Sequence, residues 1–126
     1  MAIQTLTPSA PDPNMGPSRF VIWSNAVVLA NGDATSPVAL AQGADDYTLA
    51  VTGTFGAGGT CIAEGSNDGT TWFALKDNVG AAVSITAAGF QTIASVALRY
   101  ARARVSAGDG TTQLTAQIAM RTRAKQ

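Results

Sequence analysis

Short segments in which apolar and polar residues alternate recur along most of this chain. The clearest covers residues 112–121, whose apolar row is Leu114, Ala116, Ile118 and Met120. A period of two places successive side chains on opposite faces of a β-strand. No stripe of large apolar residues at helical spacing persists for three turns. The pattern therefore predicts an all-β fold.

Shorter alternating runs occupy residues 47–55, 60–66, 71–76 and 98–105, and Gly, Asn and Asp cluster between them. These residues favour the tight turns of antiparallel hairpins. Because 126 residues form one domain and each strand has one apolar row to bury, we predict a two-sheet antiparallel β-sandwich of seven to nine short strands. Within it, we expect a loop at 43–46 and a β-bulge at Gly53.

The first 18 residues differ from the rest and contain Pro8, Pro11, Pro13 and Pro17. Proline lacks the N–H of a strand ladder and favours extended backbone, so we predict an extended arm that is neither strand nor helix. A disordered tail is the alternative, but we favour an arm that binds a neighbouring subunit. The domain organisation is then an arm at 1–18, a β-sandwich at 19–122 and a basic tail at 123–126.

The residue types needed for catalysis are scarce, since the chain has no His and a single Cys. Without His, the commonest general base and metal ligand are missing. We expect Cys61 to be a small core residue, and Asp68 and Asp77 to shape turns rather than bind calcium. The sequence therefore predicts a non-enzymatic protein with no cofactor and no metal.

Charge is unevenly placed although the net charge is zero. Residues 1–78 hold seven acids and two bases, and residues 79–126 hold one acid and six bases. Solvated faces can segregate in this way by chance; alternatively, one basic face meets an acidic protein surface. We predict the second, and expect the partner-binding side chains to include Tyr100, Arg102, Arg104 and Arg121.

The sequence does not indicate a nucleic-acid partner, a membrane partner or export from the cytoplasm. Eight Lys and Arg balanced by eight acids are too few to favour nucleic-acid binding. No run approaches the roughly 20 apolar residues of a membrane helix, so we expect no membrane partner. The first five residues contain no basic start followed by an apolar stretch, which favours synthesis in a cytoplasm without export.

The hairpin Gly65-Ser66-Asn67-Asp68-Gly69-Thr70-Thr71-Trp72 is the most distinctive segment of the chain, and residues 99–102 and 108–112 follow it. In these segments the chain resembles the small structural proteins of tailed bacteriophages, which include capsid decoration (cement) proteins. The resemblance implies a β-sandwich that binds the outer capsid surface and stabilises the shell. Its partners would be the major capsid protein and sister subunits in a dimer or trimer. The protein would be made in the host cytoplasm and located in the virion.

A second possibility stays open, because similar turns occur in discoidin-like sandwiches. The chain would then be a carbohydrate-binding module or the base of a tail or head fibre. Trp23, Tyr47, Trp72 or Tyr100 would stack on sugar rings in a carbohydrate-binding module. An exposed Trp72 would favour this alternative, and a buried one would argue against it.

Overall fold

The computed structural model describes residues 3–5, 20–21, 27–39, 44–94 and 99–122. These residues form strands and turns only, and their alternating sequence explains why. The strands are β1 (Ile3–Gln4), β2 (Phe20–Val21), β3 (Val27–Ala30), β4 (Ala34–Thr35), β5 (Val38–Ala39), β6 (Ala44–Thr54), β7 (Thr60–Ser66), β8 (Phe73–Ala74), β9 (Ser84–Ile85), β10 (Gly89–Ile93), β11 (Tyr100–Ala107) and β12 (Gln113–Thr122).

Two sheets pack face to face as a β-sandwich, which confirms the predicted fold class. Sheet I has the order β1-β4-β11-β7-β8, with β5 also paired to β11 and β9 also paired to β7. Sheet II has the order β10-β6-β12-β2, with β3 also paired to β12. All the pairings are antiparallel except β1 with β4.

The core lies between the inward rows of the two sheets. Sheet II contributes the larger side chains, and sheet I contributes many small ones. The fully or almost fully buried members are Leu29, Leu49, Val51, Cys61, Ala63, Ala101, Ala103, Val105, Leu114, Ala116 and Ile118. Alternation alone therefore identified the buried row of each long strand correctly.

Two adjacent corners carry the chain from one sheet to the other. Residues 55–59 connect β6 to β7, and residues 108–112 connect β11 to β12. The Asp109 carboxylate accepts a hydrogen bond from the Ala57 amide at 2.9 Å, and the Thr112 hydroxyl donates to the Phe55 carbonyl at 2.8 Å. Gly56 adopts a φ of +67°, and a Cβ there would collide with the Asp109 side chain. These contacts lock the two corners together.

Strand number and bounds differ from the sequence prediction. The described residues contain twelve strands rather than seven to nine, because several pair over only two residues. β6 begins at Ala44, where a loop was expected. β8 is restricted to Phe73–Ala74 because the Thr70 and Thr71 amides donate to the Asp68 carboxylate, both at 2.8 Å, instead of to a strand.

Gly53 does not mark a bulge, because the β6–β12 register continues through it, opposite Leu114. The glycine is needed for two other reasons. Its φ is +115°, and a Cβ at this position would overlap the Gln113 carbonyl oxygen of the neighbouring strand. The close approach of the two backbones thus explains why a glycine occupies position 53, which the alternation pattern could not explain.

The N-terminal segment contains two short strands. Ile3–Gln4 runs parallel to Ala34–Thr35 in sheet I, so the expectation of no strand there was wrong for these two residues. Phe20–Val21 pairs with β12 in sheet II. The four prolines between them lie outside the described residues. Both ends of that proline-containing segment therefore join the same sandwich, one in each sheet.

Candidate protein-binding surface

The outward face of sheet I carries three of the predicted partner-binding residues. Along β11, Tyr100, Arg102 and Arg104 are half-buried and alternate with buried small residues. On the adjacent β7, Glu64 lies opposite Arg102, and Ile62 lies opposite Arg104. Because cross-strand neighbours have Cβ atoms about 5 Å apart, this register brings the glutamate between the two arginines.

Both arginines bind the same carboxylate. Arg102 Nε donates to Glu64 Oε1 at 3.0 Å, and Arg104 Nε donates to the same oxygen at 3.1 Å. The Glu64 residue is only 7% exposed although it is on the outward row. A carboxylate this buried requires charge-assisted hydrogen bonds, and the two guanidinium groups supply them.

Aromatic rings extend this cluster toward the β7–β8 hairpin. The Arg102 guanidinium carbon lies 4.3 Å from the centre of the half-buried Trp72 ring, and the Arg99 guanidinium carbon lies 5.2 Å from that of Tyr100. Both distances fit cation–π contact. One guanidinium thus stacks on an aromatic ring and also bonds to a carboxylate, which fixes its orientation.

The hairpin sequence explains why Trp72 reaches this position. Asp68 accepts hydrogen bonds from the Ser66 hydroxyl and from the Thr70 and Thr71 amides, while Gly69 takes a φ of +78°. These bonds hold the pKa of the Asp68 carboxyl at about 2, with the Thr71 amide the largest cause. The turn ends immediately before Trp72 and lies against the Tyr100 ring.

We call Trp72, Arg99, Tyr100, Arg102 and Arg104, with Glu64 between the arginines, the arginine–aromatic patch. Three cations and one anion leave it with a net charge of about +2. The Arg104 side chain is 32% exposed and that of Arg102 is 13% exposed, so part of this charge meets solvent. The acidic and basic halves of the sequence are thus partly neutralised inside one molecule.

The other predicted partner-binding residues are not in this patch. Arg121 belongs to β12 in sheet II, where its backbone pairs with Asp46 and Phe20. Pro8, Pro11, Pro13 and Pro17 lie outside the described residues. The sequence prediction also missed Glu64 and Trp72 as members of the patch. Glu64 alternated with the predicted core residue Cys61, and Trp72 was expected to be a core residue or a sugar-stacking residue; only the β7–β11 register and the ring contact show that they meet Arg102.

The reactive side chains outside the patch are engaged in structure. Burial raises the pKa of the Cys61 thiol to about 12. Hydrogen bonds from Thr111 and the Ala57 amide lower the pKa of Asp109 to about 2. Amide donors, led by Ala81, lower that of Asp77. Each carboxylate is an acceptor within a turn, which is the role that the sequence suggested for Asp68 and Asp77.

Three further features concern the described residues. They contain no group of three or more His, Cys, Asp or Glu side chains placed to hold a metal ion. In the same part of the chain, no helix has the length and apolarity needed to cross a bilayer. A shallow depression of about 340 Å³ lies beside Phe90, where Gln91 donates to Asp77 and to the Ala82 carbonyl.

Comparison with protein-family models, with curated proteins and with solved structures gives no match. The functional assignment therefore depends on the residues and geometry of the chain itself.

Proposed function

We propose that this chain is a non-enzymatic structural protein that binds an acidic protein surface through the arginine–aromatic patch. The single observation that carries the proposal is the arrangement of Arg102, which is stacked on Trp72 and bonded to Glu64 while Arg104 stays partly exposed. Tyr, Trp and Arg are the side chains most enriched at the energetic centres of protein interfaces.

Pre-organisation supports a binding role for these side chains. A free arginine loses rotamer freedom when it binds, at a cost of roughly 0.5–1.5 kcal/mol per side chain. Here the sheet, Glu64 and the Trp72 ring already hold the Arg102 guanidinium in place. An acidic partner then pairs with the exposed cations at little further entropic cost.

For the partner, we propose the outer capsid surface of a tailed phage, with this chain as a decoration protein that stabilises the shell. Support comes from the resemblance of the hairpin and of residues 99–102 and 108–112 to phage structural proteins. A protein that binds only the assembled shell stabilises that state by mass action. The virion location and the major capsid protein as partner belong to the same proposal.

The direct test reverses one charge in the patch. Arg104→Glu should weaken binding to purified capsids by about tenfold or more, because it places a carboxylate beside Glu64 and opposes an acidic partner. Lys76→Glu is a matched control, since it makes the same charge change at an exposed residue outside the patch. Equal binding of both variants and the wild type would rule out the patch as the docking surface.

Shell stability gives a second measurement of the same proposal. Capsids saturated with the protein should release their contents at a higher temperature than bare capsids, and Arg104→Glu should reduce this shift at equal concentration. Identical melting of bare and saturated shells would contradict the stabilising role.

The carbohydrate-binding alternative is less well supported by the site. Trp72 is half-buried, and the Arg102 guanidinium covers one face of its ring. Sugar stacking needs an open aromatic face, so we do not expect Trp72 to bind glycans. A glycan-induced change in tryptophan fluorescence that disappears in Trp72→Ala would favour the alternative.

A further inference from the structure

Glu64 uses only one of its two carboxylate oxygens within the described part of the chain. Arg102 and Arg104 both donate to Oε1, and no described residue donates a hydrogen bond to Oε2. The Glu64 side chain is only 9% exposed, so bulk water solvates this second oxygen poorly. A nearly buried acceptor without a donor costs free energy, and it therefore calls for an explanation.

The neighbours of Glu64 on the outward face explain why Oε2 receives no donor from them. Across the strands, its neighbours are Arg102 on β11, which already bonds to Oε1, and Ala74 on β8, which has no polar side-chain atom. Along β7, the next outward side chains are the apolar Ile62 and Ser66, whose hydroxyl donates within its own turn. On the β8 side, only the exposed methyl group of Ala74 flanks the carboxylate.

We propose that Glu64 Oε2 accepts a hydrogen bond from the partner, so that the arginine–aromatic patch recognises a carboxylate with a neutral N–H or O–H donor beside it. This inference rests on the proposed function, because it concerns the same patch. Arg104 binds the partner's carboxylate: its Nε is bonded to Glu64, while its two terminal nitrogens have no acceptor among the described residues. The bond to Glu64 keeps these nitrogens close to Oε2, so one partner segment reaches both.

The charge of the patch decides which kind of donor suits Oε2. Three arginines surround one carboxylate, so an ammonium group would be repelled, whereas an amide N–H or a hydroxyl would not. A surface that carries carboxylates alone would meet the negative charge of Glu64 as it approaches Arg104. Glu64 is therefore a specificity-determining residue, which disfavours simple polyanions and favours acidic residues with a neighbouring donor.

Two anionic polymers test this selectivity with the full chain. Poly-L-aspartate places each carboxylate near a backbone N–H, whereas polyacrylate at neutral pH carries carboxylates without any N–H donor. Titrations at one low ionic strength give the ratio of the two dissociation constants for each protein. Glu64→Gln keeps an oxygen for the arginines but puts an amide N–H donor in place of Oε2. Its preference for polyaspartate over polyacrylate should fall about fivefold or more relative to the wild type.

A second variant and a control separate recognition from a structural role. Ala74→Gln, at an exposed position opposite Glu64, offers Oε2 an internal donor and should lower the same preference while Glu64 is retained. Asp46→Asn is the matched control, because it removes one negative charge from β6 in sheet II and should leave the preference unchanged. If Glu64 only positioned the arginines, Glu64→Gln would weaken the binding of both polymers alike. A preference that both Glu64→Gln and Ala74→Gln leave unchanged would overturn the inference.

Arg104→Glu distinguishes this failure from a failure of the proposed function. It should weaken the binding of both polymers, because each contacts the exposed guanidinium group. If it does so while the two glutamine variants keep the wild-type preference, this inference alone is wrong. If Arg104→Glu changes neither affinity, or if the wild type binds neither polymer, the patch is not an acid-binding surface and both proposals fail.

Discussion

At the scale of single residues, Glu64 is the side chain on which the sheet I surface depends most. It is 7% exposed and accepts hydrogen bonds from two arginines through one oxygen. Removal of its charge leaves both guanidinium groups without their carboxylate, although solvent partly screens Arg104.

We therefore expect Glu64→Gln to lower the free energy of unfolding by about 1–3 kcal/mol, the range for leaving buried hydrogen-bond partners without their acceptor. Urea denaturation followed by tryptophan fluorescence measures it. Arg99→Gln serves as control, since its ring contact should contribute less than about 1 kcal/mol. A Glu64→Gln protein as stable as the wild type would show that the ion pairs contribute nothing net.

Cys61 provides a second residue-scale prediction. Its thiol is buried and has a pKa of about 12 in place of the ordinary 9.0. The thiolate that reacts with disulfide reagents is therefore almost absent from the folded protein at neutral pH. We expect no reaction with Ellman's reagent under native conditions and one equivalent in 8 M-scale urea. Rapid labelling of the native protein would contradict the burial.

The same shift gives the stability of the fold one pH-dependent component above pH 9.0. Because the folded pKa is raised, the unfolded chain loses its thiol proton first as pH rises above 9.0, and stability falls from there toward about 12. Cys61→Ala should lack this component of the alkaline loss, which denaturation at pH 8 and pH 11 can compare.

At the scale of elements, the two corners between the sheets depend on Asp109. Its carboxyl has a pKa of about 2, lowered from the ordinary 3.8 by Thr111 and the Ala57 amide. A lowered folded pKa means that this group stabilises the protein above pH 3.8, and that the contribution is lost as pH falls toward about 2.

Asp109→Asn should therefore lower the urea midpoint at pH 6, and the difference from the wild type should shrink as the pH approaches 2. Because asparagine does not titrate, the difference in urea midpoint between wild type and variant at pH 6 serves as the control for the same difference near pH 2. A difference that is independent of pH would show that Asp109 acts through shape rather than charge.

At this scale, the sequence predicts which face of a strand is buried but not which strands pair. Alternation predicted the buried rows of β6, β11 and β12, because burial of one face is a local property of a strand. It could not predict that β7 pairs with β11, since antiparallel partners more than thirty residues apart leave no local signal. For this reason the sequence placed Tyr100, Arg102 and Arg104 among the candidate partner-binding residues, whereas Glu64 and Trp72 joined this group only through the structure.

At the scale of the whole molecule, the described parts of the two outward faces differ in chemistry. Sheet I presents arginine and aromatic side chains, whereas the described outward side chains of sheet II are those of Thr, Ala, Gln, Val and Phe.

The proline-containing segment is also best considered at this scale. β1 precedes this segment in sheet I and β2 follows it in sheet II, so the segment is attached to the sandwich at both ends. We propose that it contacts a neighbouring subunit on the capsid.

Replacement of Pro8, Pro11, Pro13 and Pro17 by serine should weaken capsid binding, because the more flexible segment loses more entropy on ordering. The melting temperature of the isolated sandwich should change little, since β1 and β2 are retained. Binding assays with the quadruple variant measure the effect. Unchanged binding would exclude the segment from the interface.

The two locked corners also determine the order in which the chain can acquire its structure. β7 and β11 lie, in sequence, between β6 and β12, so the two central pairs are nested. If β7 pairs with β11 before the other strands pair, this step closes a loop of about 33 residues. The two corners then bring β6 and β12 together, so their pairing costs little additional chain entropy. Refolding should begin with sheet I, and amides of β7 and β11 should acquire exchange protection before those of β6 and β12.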